Sequence, residues 1–514
     1  MKAVYTPTME DITQYLGRYH YVPVKREIFS DICTPIQALK RLKAVSDHVF
    51  MLESVEEQEN WGRYTFLGFN PRQCLTCTDG HMTVTKDNGD IVDDLTLRHP
   101  SRYIREIIEE YKSPRLDDFP SFTGGLVGYF AYDYIKYSEP KLDLNVDDEE
   151  HFKDVDLMLF DKVIAFDNVK QKIVIVANVD IRDKTMNLKP RSADSAFDAE
   201  DMARINDAYD KALKDIDEIA DILISGKEVK VDPGRLTSQY RALFDKETYC
   251  DMVKKAKNYI YEGDIFQVVL SNRLDADYEG SLLDTYRMLR TINPSPYMFY
   301  FSGDDIEVAG ASPETLVKLH NGVLHTYPLA GTRKRGRDEE EDKALEEELL
   351  ADEKERAEHN MLVDLGRNDI GRISDFGSVE VEKYMAIERF SHVMHIGSTV
   401  RGKLRGGLTQ LDAIDSILPA GTLSGAPKVR ACEIIAELEK NKRGIYGGAI
   451  GYIDFMGNLD TCIAIRIAYK KNGKVFVRSG AGIVADSVPE NEYEECLNKA
   501  KAVMSAIEKA QEMA

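Results

Sequence analysis

Short apolar runs separated by turn residues fill the first ~180 positions, among them HVFMLESV, RYTFLGF, GGLVGYFAYDYI and KVIAFDNVKQKIVIVANV. Runs of this length predict β-strands, and Asp167-Asn168-Val169-Lys170 between two β-rich halves is a hairpin signature, so an antiparallel sheet is expected. The composition turns polar over residues 183–245, where Met202, Ile205, Tyr209, Leu213, Ile216 and Ile219 recur at spacings of three and four. That period predicts one long amphipathic helix. KVDPGRLTS then breaks the chain. The resulting division is an N-terminal domain over 1–240, ending in a helical connector, and a second domain over 241–514.

Beyond the break, a helix rich in Lys and Tyr ends at Gly263, DIFQVVLSNRL reads as a strand, and a helix from about 281 to about 291 stops at NPSPY. MFYFSG, EVAGAS and TLVKLHNGVLHTYP read as strands. DEEEDKALEEELLADEKERAEHNMLVDL follows as an amphipathic helix. Ten carboxylates against two lysines over residues 339–355 require most of that face to meet water. The fold class implied is α+β, with antiparallel sheets packed as a sandwich and helices flanking them.

Composition narrows the function. A chain of 514 residues suits two large domains or one composite domain. No stretch approaches the roughly 18 apolar residues of a membrane span, and MKAVYTPTMEDITQYLG lacks a signal-peptide pattern. A net charge of −22 repels phosphate polymers and anionic lipid, so neither nucleic acid nor membrane is an expected partner, while a small anion in a locally basic pocket remains open. Seven scattered cysteines point to a reducing cytoplasm. Cys74 and Cys77 form a CxxC on a strand, where that spacing sends the thiols to opposite faces, and packing is the favoured reading. Neither a P-loop nor a nucleotide-binding glycine fingerprint occurs.

Individual residues stay ambiguous when read alone. Glu355 and Glu358 share a helix face at i, i+3, as do Glu492 and Glu495, but in so acidic a chain such pairs are usually surface decoration. Lys499 suits an i, i+4 ion pair with Glu495. Arg466 on the alternating segment CIAIRIA needs a carboxylate partner, either internal or a ligand. Tyr446 reads as core, Gly480-Ala481-Gly482 as a bulge or a close-approach site, and Thr422 and Ser424 as helix caps. The cations of RKRGR, 333–337, sit beside the acidic helix, which favours a solvated turn for Lys334, Arg335 and Arg337.

Order removes much of this ambiguity. GASPETLVKL (310–319), PLAGTRKRG (328–336), EKERAEHNMLVDLGRNDIGRIS (353–374), FSHVMHIGSTVRG (390–402), PAGTLSGAPKVRACEII (419–435), GIYGGAIGYID (444–454), LDTCIAIRIA (459–468) and RSGAGIVADSVPENEYEECLNKAKAV (478–503) stand in this sequence. In content and order they resemble the chorismate-utilising enzymes, and among these the aminase-lyase subunits that make anthranilate. The resemblance implies that family's fold and a magnesium-dependent conversion of chorismate and ammonia to anthranilate and pyruvate, the first committed step of tryptophan biosynthesis. It assigns Glu358 and Glu495 to Mg²⁺, with Glu355 and Glu492 as outer groups. It assigns Glu314 as an acid near the C4 oxygen, His395 to proton removal at C2 (with His392 sharing its helix face or simply buried), and Thr422 and Ser424 as hydroxyls near the ring. Chorismate is held by Gly331, Thr332, Tyr446, Arg466, Gly480, Ala481 and Gly482.

Related enzymes that make aminodeoxychorismate carry a nucleophilic lysine where this chain has Ala330. Alanine cannot serve, so ammonia must be imported. No cysteine lies in a nucleophile-elbow context, which implies a separate glutamine amidotransferase subunit as partner. MLES (51–54) and NPSPYM (293–298) match segments with which the family binds tryptophan as feedback inhibitor, with Met51 where Leu is usual. Glu53, Ser54, Pro296, Tyr297 and Met298 are the residues implied for that regulatory pocket.

Overall fold

The computed structural model describes residues 3–53, 62–86, 88–182, 197–389 and 393–512. Among these the strands form two antiparallel sheets, one of 14 strands and one of 12. The first runs from Tyr21–Phe29 through Lys172–Asp180, Lys162–Asp167, Tyr64–Phe69 and Val49–Glu53 to Tyr297–Ser302, Glu307–Ser312, Ile467–Lys471, Lys474–Ile483 and Gln267–Glu279. The second runs from Leu329–Lys334 through Val393–Lys403, Val323–Thr326, Thr315–His320, Leu459–Ile463 and Ala449–Asp454 to Gly125–Phe130, Val155–Phe160 and Gln73–Thr78. Both draw strands from either side of residue 240. The ladders Val49–Glu53 with Tyr297–Ser302, and Gly125–Phe130 with Ala449–Asp454, bind the two halves of the chain together.

Layering follows from the period of two along each strand. Val49 and Met51 turn to one core, which includes Leu39, Ile216, Tyr286 and Val503 from four helices, whereas Phe50 packs into the space between the sheets. There Phe66, Val163 and Phe299 of the first sheet meet Val127, Met158 and Ile450 of the second. A third core backs the second sheet with Ile104, Leu411 and Ile414. The result is a sandwich of helices, two sheets and helices, and strands buried on both faces explain why their apolar runs are nearly continuous. Cys74 faces the inter-sheet core and Cys77 the outer one, as the CxxC spacing requires.

Local signals land close to their expected places. Asp167 Oδ1 accepts from the backbone N–H of Val169 (3.1 Å) and Lys170 (2.9 Å) and so closes the expected hairpin. The connector helix is Ala199–Ser225, and Lys246–Glu262 ends on Gly263 at φ +86°. The acidic run differs from expectation: it forms two helices, Glu339–Ala351 and Glu353–Gly371, rather than one. The break is Asp352, at ψ +108°, whose carboxylate caps the second helix by accepting from Lys354 and Glu355 N–H. Among the described residues no helix is long and apolar enough to cross a membrane.

Candidate active site

Two of the places where the chain passes from one sheet to the other lie close together, and both carry a charged side chain. Pro313-Glu314 links Glu307–Ser312 to Thr315–His320, and Ala464 to Arg466 links Leu459–Ile463 to Ile467–Lys471. The crossings lie side by side, since Ile463 N–H donates to Glu314 O (2.9 Å) and Ala311 N–H to Arg466 O (3.2 Å). Arg466 is therefore not on a strand, as the alternating pattern suggested, but in a bend at φ +53°. A residue outside the ladder can aim a long side chain where a strand cannot.

Between the crossings and two helices lies a cavity of about 640 Å³. Glu314, Gly331, Thr332, His395, Thr422, Tyr446, Arg466, Gly480 and Gly482 line it, together with Glu355 and Glu358 from the helix Glu353–Gly371 and Glu492 and Glu495 from the helix Pro489–Glu512. The catalytic, metal and substrate residues expected from the sequence reach this cavity except Ser424, described below, and Ala481, whose side chain is fully buried in a core beside Leu270 and Ile483. Strand alternation explains the latter: Gly480 and Gly482 face the cavity and Ala481 the other side.

Each group has a distinct electrostatic setting. Burial pushes the Glu314 carboxyl up to about 7, opposed by a hydrogen bond from Thr422 Oγ1 (3.0 Å) and by the Arg466 charge. Burial likewise lowers Arg466, with Glu314 opposing, and among the described residues no hydrogen bond or ion pair reaches its guanidinium. The Tyr446 hydroxyl similarly has no described partner; a Cβ at Gly480 would sit 3.1 Å from it. Glu358 is raised by burial and then by the charge of Glu355, with Glu495 adding to it. Glu495 pairs with Lys499 (2.7 Å), whose amine also donates to Gly480 O (3.1 Å).

His395 stands on the strand Val393–Lys403 rather than on a helix, and His392 lies outside the described residues. Its Nδ1 is 2.9 Å from Gly331 O, and because a carbonyl only accepts, Nδ1 carries the proton and Nε2 the lone pair. That bond needs a bulge in the ladder between Ala330 and Thr332, where Gly331 adopts φ +68°. Burial lowers the imidazole below its ordinary range. Ser424 is turned away from the cavity, fully buried and donating to Ala420 O (2.8 Å).

The three arginines of 333–337 are neutralised locally, while Lys334 ends the strand Leu329–Lys334 with its side chain exposed. Arg333 meets Glu348, Asp352 and Glu355, Arg335 meets Asp342, and Arg337 meets Glu341. Sequence reasoning missed Gln267 and Lys354, which line the cavity, and a buried triad beneath it. Glu439 Oε2 accepts from Arg443 Nε (2.9 Å) and Arg478 Nη2 (2.7 Å), while Arg443 also holds Val269 O and Leu423 O. The argument that singled out Arg466, a lone cation on an apolar strand, applies equally to Arg478 in KVFVRSG.

A second cavity of about 620 Å³ lies between the sheets. Glu53, Pro296, Tyr297 and Met298 line it with Tyr64, Phe66, Phe299 and Tyr452; Ser54 lies outside the described residues. Glu53 pairs with Arg290 (2.5 Å) and accepts from Tyr286. The Tyr297 hydroxyl is 2.8 Å from Asp460 Oδ1 and 3.0 Å from Thr315 Oγ1.

Residues 48–505 match the chorismate binding enzyme family. The chain is 47% identical to anthranilate synthase component 1 of Acetivibrio thermocellus, over 99% of this chain and 100% of that one. It is 45% identical to anthranilate synthase component 1 of Aquifex aeolicus, over 98% of each. The crystal structure of anthranilate synthase component I from Streptococcus pneumoniae superposes with a TM-score of 0.71 at 37% identity, over 93% of this chain and 98% of that one.

Proposed function

The chain belongs to the chorismate-binding enzymes, and from that premise we propose that it converts chorismate and ammonia to anthranilate, pyruvate and water as the aminase-lyase subunit of an anthranilate synthase. The observation that carries this reading is the convergence of Glu314, Glu358, His395, Arg466 and Glu495, from five separate segments, on one cavity.

Chorismate brings two carboxylates, and the cavity offers the Arg466 guanidinium, which has no hydrogen bond or ion pair among the described residues, the Tyr446 hydroxyl, and a stretch of strand at Gly480 and Gly482 that lacks side chains. Ala481 contributes through its backbone alone. Gly331 and Thr332 edge the substrate beside Ala330, whose small side chain leaves room for ammonia to attack C2. Glu314, held near neutral pKa with Thr422 on one oxygen, protonates the departing C4 oxygen. His395, with its lone pair fixed on Nε2, then takes the C2 proton as pyruvate leaves and the ring becomes aromatic.

Glu358 and Glu495 suit Mg²⁺, a hard ion that takes one or two carboxylates and keeps water and substrate oxygens for the rest. Among the described residues no group of three or more His, Cys, Asp or Glu closes around one point. Glu358 is raised by burial first and then by the like charges of Glu355 and Glu495, and a bound cation would relieve that repulsion. When bound, the ion supplies Lewis-acid stabilisation of charge on a substrate carboxylate.

The rest of the reading concerns supply and control. Ammonia comes from a glutamine amidotransferase subunit, tryptophan occupies the cavity of Glu53, Pro296, Tyr297 and Met298 with Ser54 nearby in sequence, and the seven free cysteines suit the cytoplasm. The test is direct: the purified chain, given chorismate, Mg²⁺ and an ammonium salt, yields the fluorescence of anthranilate. A non-aromatic amino product would reassign it to aminodeoxychorismate synthesis, and no consumption of chorismate would sink the reading.

A further inference from the structure

One buried polar bond joins the helix that carries Glu358 to the strand that carries His395. His359 is 0% exposed, and its Nε2 lies 2.6 Å from Ser398 Oγ. No described residue bonds its Nδ1. Ser398, itself buried, stands three residues beyond His395 on the strand Val393–Lys403. The same Oγ accepts from Met385 N–H (3.0 Å), where the ladder between Glu380–Arg389 and Val393–Lys403 loses register and Met385 adopts φ +51°. The Ser398 N–H donates to Pro328 O (3.1 Å), two residues before Ala330. One serine therefore meets the helix, a neighbouring strand, and the segment that leads into the Gly331 bulge.

The surroundings make this bond an odd choice for stability. Val363, one turn along the helix from His359, and Ile396 and Val400, which flank Ser398 on the same face of the strand, are buried and apolar. An apolar ring at position 359 would pack there without stranding a ring nitrogen, and removing both partners of a buried polar pair is often neutral or stabilising. A directional bond contributes what apolar contact cannot, a fixed register between two elements. Here the two elements each carry a side chain that lines one cavity.

We propose that His359 is a positioning residue: its bond to Ser398 locks the helix Glu353–Gly371 against the strand Val393–Lys403 and thereby sets the spacing of Glu358 and His395 across the cavity. This rests on the activity proposed above, in which both side chains act on one substrate. A misplacement of about 1 Å in such a constellation costs on the order of a hundredfold in rate.

The experiment uses the full-length chain with ammonium as nitrogen source, in the variants His359→Phe, His359→Gln, Ser398→Ala and the double His359→Phe/Ser398→Ala. Turnover, KM for chorismate, thermal midpoint, and the rise in midpoint on adding Mg²⁺ are measured for each. The double variant, which removes both partners, is expected to keep the midpoint, and H359F, which strands the Ser398 hydroxyl, to lower it slightly. H359F loses about tenfold to a hundredfold in kcat with a much smaller change in KM and shows a weakened Mg²⁺ response. S398A behaves alike, the double variant is no worse than the worse single one, and H359Q, whose amide reaches the serine, recovers most of the rate. Wild-type kcat in a folded H359F, additive losses in the double variant, or losses that track the midpoint would each overturn the proposal. Should H359F not fold, S398A and H359Q decide the matter. If the wild-type chain makes no anthranilate, the functional reading fails, while the Mg²⁺ response of the variants still judges the positioning role.

Discussion

Two cavities of nearly equal size, about 640 Å³ and about 620 Å³, lie in the same sandwich and differ in what their polar groups have left to give. In the first, Arg466 and the Tyr446 hydroxyl have no described partner and Glu358 is held among like charges. In the second, Glu53 is bonded to Arg290 and Tyr286, and Tyr297 to Asp460 and Thr315, so the walls offer aromatic faces with satisfied polar edges. On the proposed reading, the difference teaches how one fold would separate chemistry from recognition. Reaction of a dianion needs charges kept unpaired at a cost in stability, whereas an aromatic ring can be held by a wall whose charges are already compensated.

Removing a carboxylate at the convergence of the two helices is the sharpest way to break that contrast. Glu358→Gln and Glu495→Gln are each expected to lower kcat/KM about a thousandfold, because the metal's charge stabilisation is worth several kcal/mol. Anthranilate fluorescence reads the loss, and calorimetry with Mg²⁺ shows weakened binding. Undiminished turnover in both would leave the pair as surface acids.

Glu314→Gln comes next, at about a hundredfold in kcat, since an amide cannot give a proton to the leaving oxygen. Its pH behaviour has a defined sign. The carboxyl lies near 7, so the acid form is lost as pH rises through that value, and a falling limb of kcat centred there should be missing in the variant. The same shift acts on folding. Because the folded-state value lies above the unfolded one, the group favours the folded state fully below the ordinary carboxyl range, and that contribution is lost as pH rises through about 7. E314Q is therefore more stable relative to the wild type at pH 8 than at pH 4, by at most about 3 kcal/mol. Equal thermal midpoint differences at the two pH values would show that Glu314 is not buried in this way.

The fold, and most of the residues that line the cavity of Glu314 and Arg466, are legible in the sequence, and each exception has its own cause. Period-two runs with turn residues located the strands, the hairpin at Asp167 and the helix ending at Gly263, because local chemistry decides those features. The alternating pattern predicts a strand at Arg466 because it continues across the bend; only the crossing between sheets, a long-range fact, interrupts the ladder there. Ala481 was counted with its glycine neighbours although strand alternation alone turns it away. The break at Asp352 was hidden by uniformly high helix propensity on both sides, with the cap residue camouflaged among other acids. Which strands from the two halves pair with one another, and hence that both sheets are composite, has no local signal at all.

A smaller effect tests the contact between the two cavities. Thr315 follows Glu314 directly, and its Oγ1 is 3.0 Å from the Tyr297 hydroxyl on the wall of the second cavity. Thr315→Val keeps the shape and deletes that bond, which is worth about 1 kcal/mol. Tryptophan is then expected to bind almost as before by calorimetry yet to need about fivefold more ligand for half-inhibition, with turnover in its absence little changed. Unaltered inhibition would mean that the cavities communicate elsewhere, for instance along Leu459–Ile463, which contributes Asp460 and Cys462 to one and leads to Arg466 in the other.

The smallest expected effect concerns the cations that stand out most in the sequence. Arg337 is 89% exposed in its side chain and meets Glu341 at i, i+4, an arrangement that solvent and salt screen almost entirely. Arg337→Ala is expected to change turnover by less than about twofold and leave the thermal midpoint nearly unmoved. Arg333 differs although it stands four residues away, for it is 21% exposed and bridges Glu348, Asp352 and Glu355, tying both acidic helices to the strand Leu329–Lys334 at the cavity wall. Arg333→Ala should therefore lower turnover several-fold where Arg337→Ala does not. If the order were reversed, with Arg337 the more sensitive position, the run 333–337 would be contacting something outside the chain rather than bracing the helix that holds Glu358.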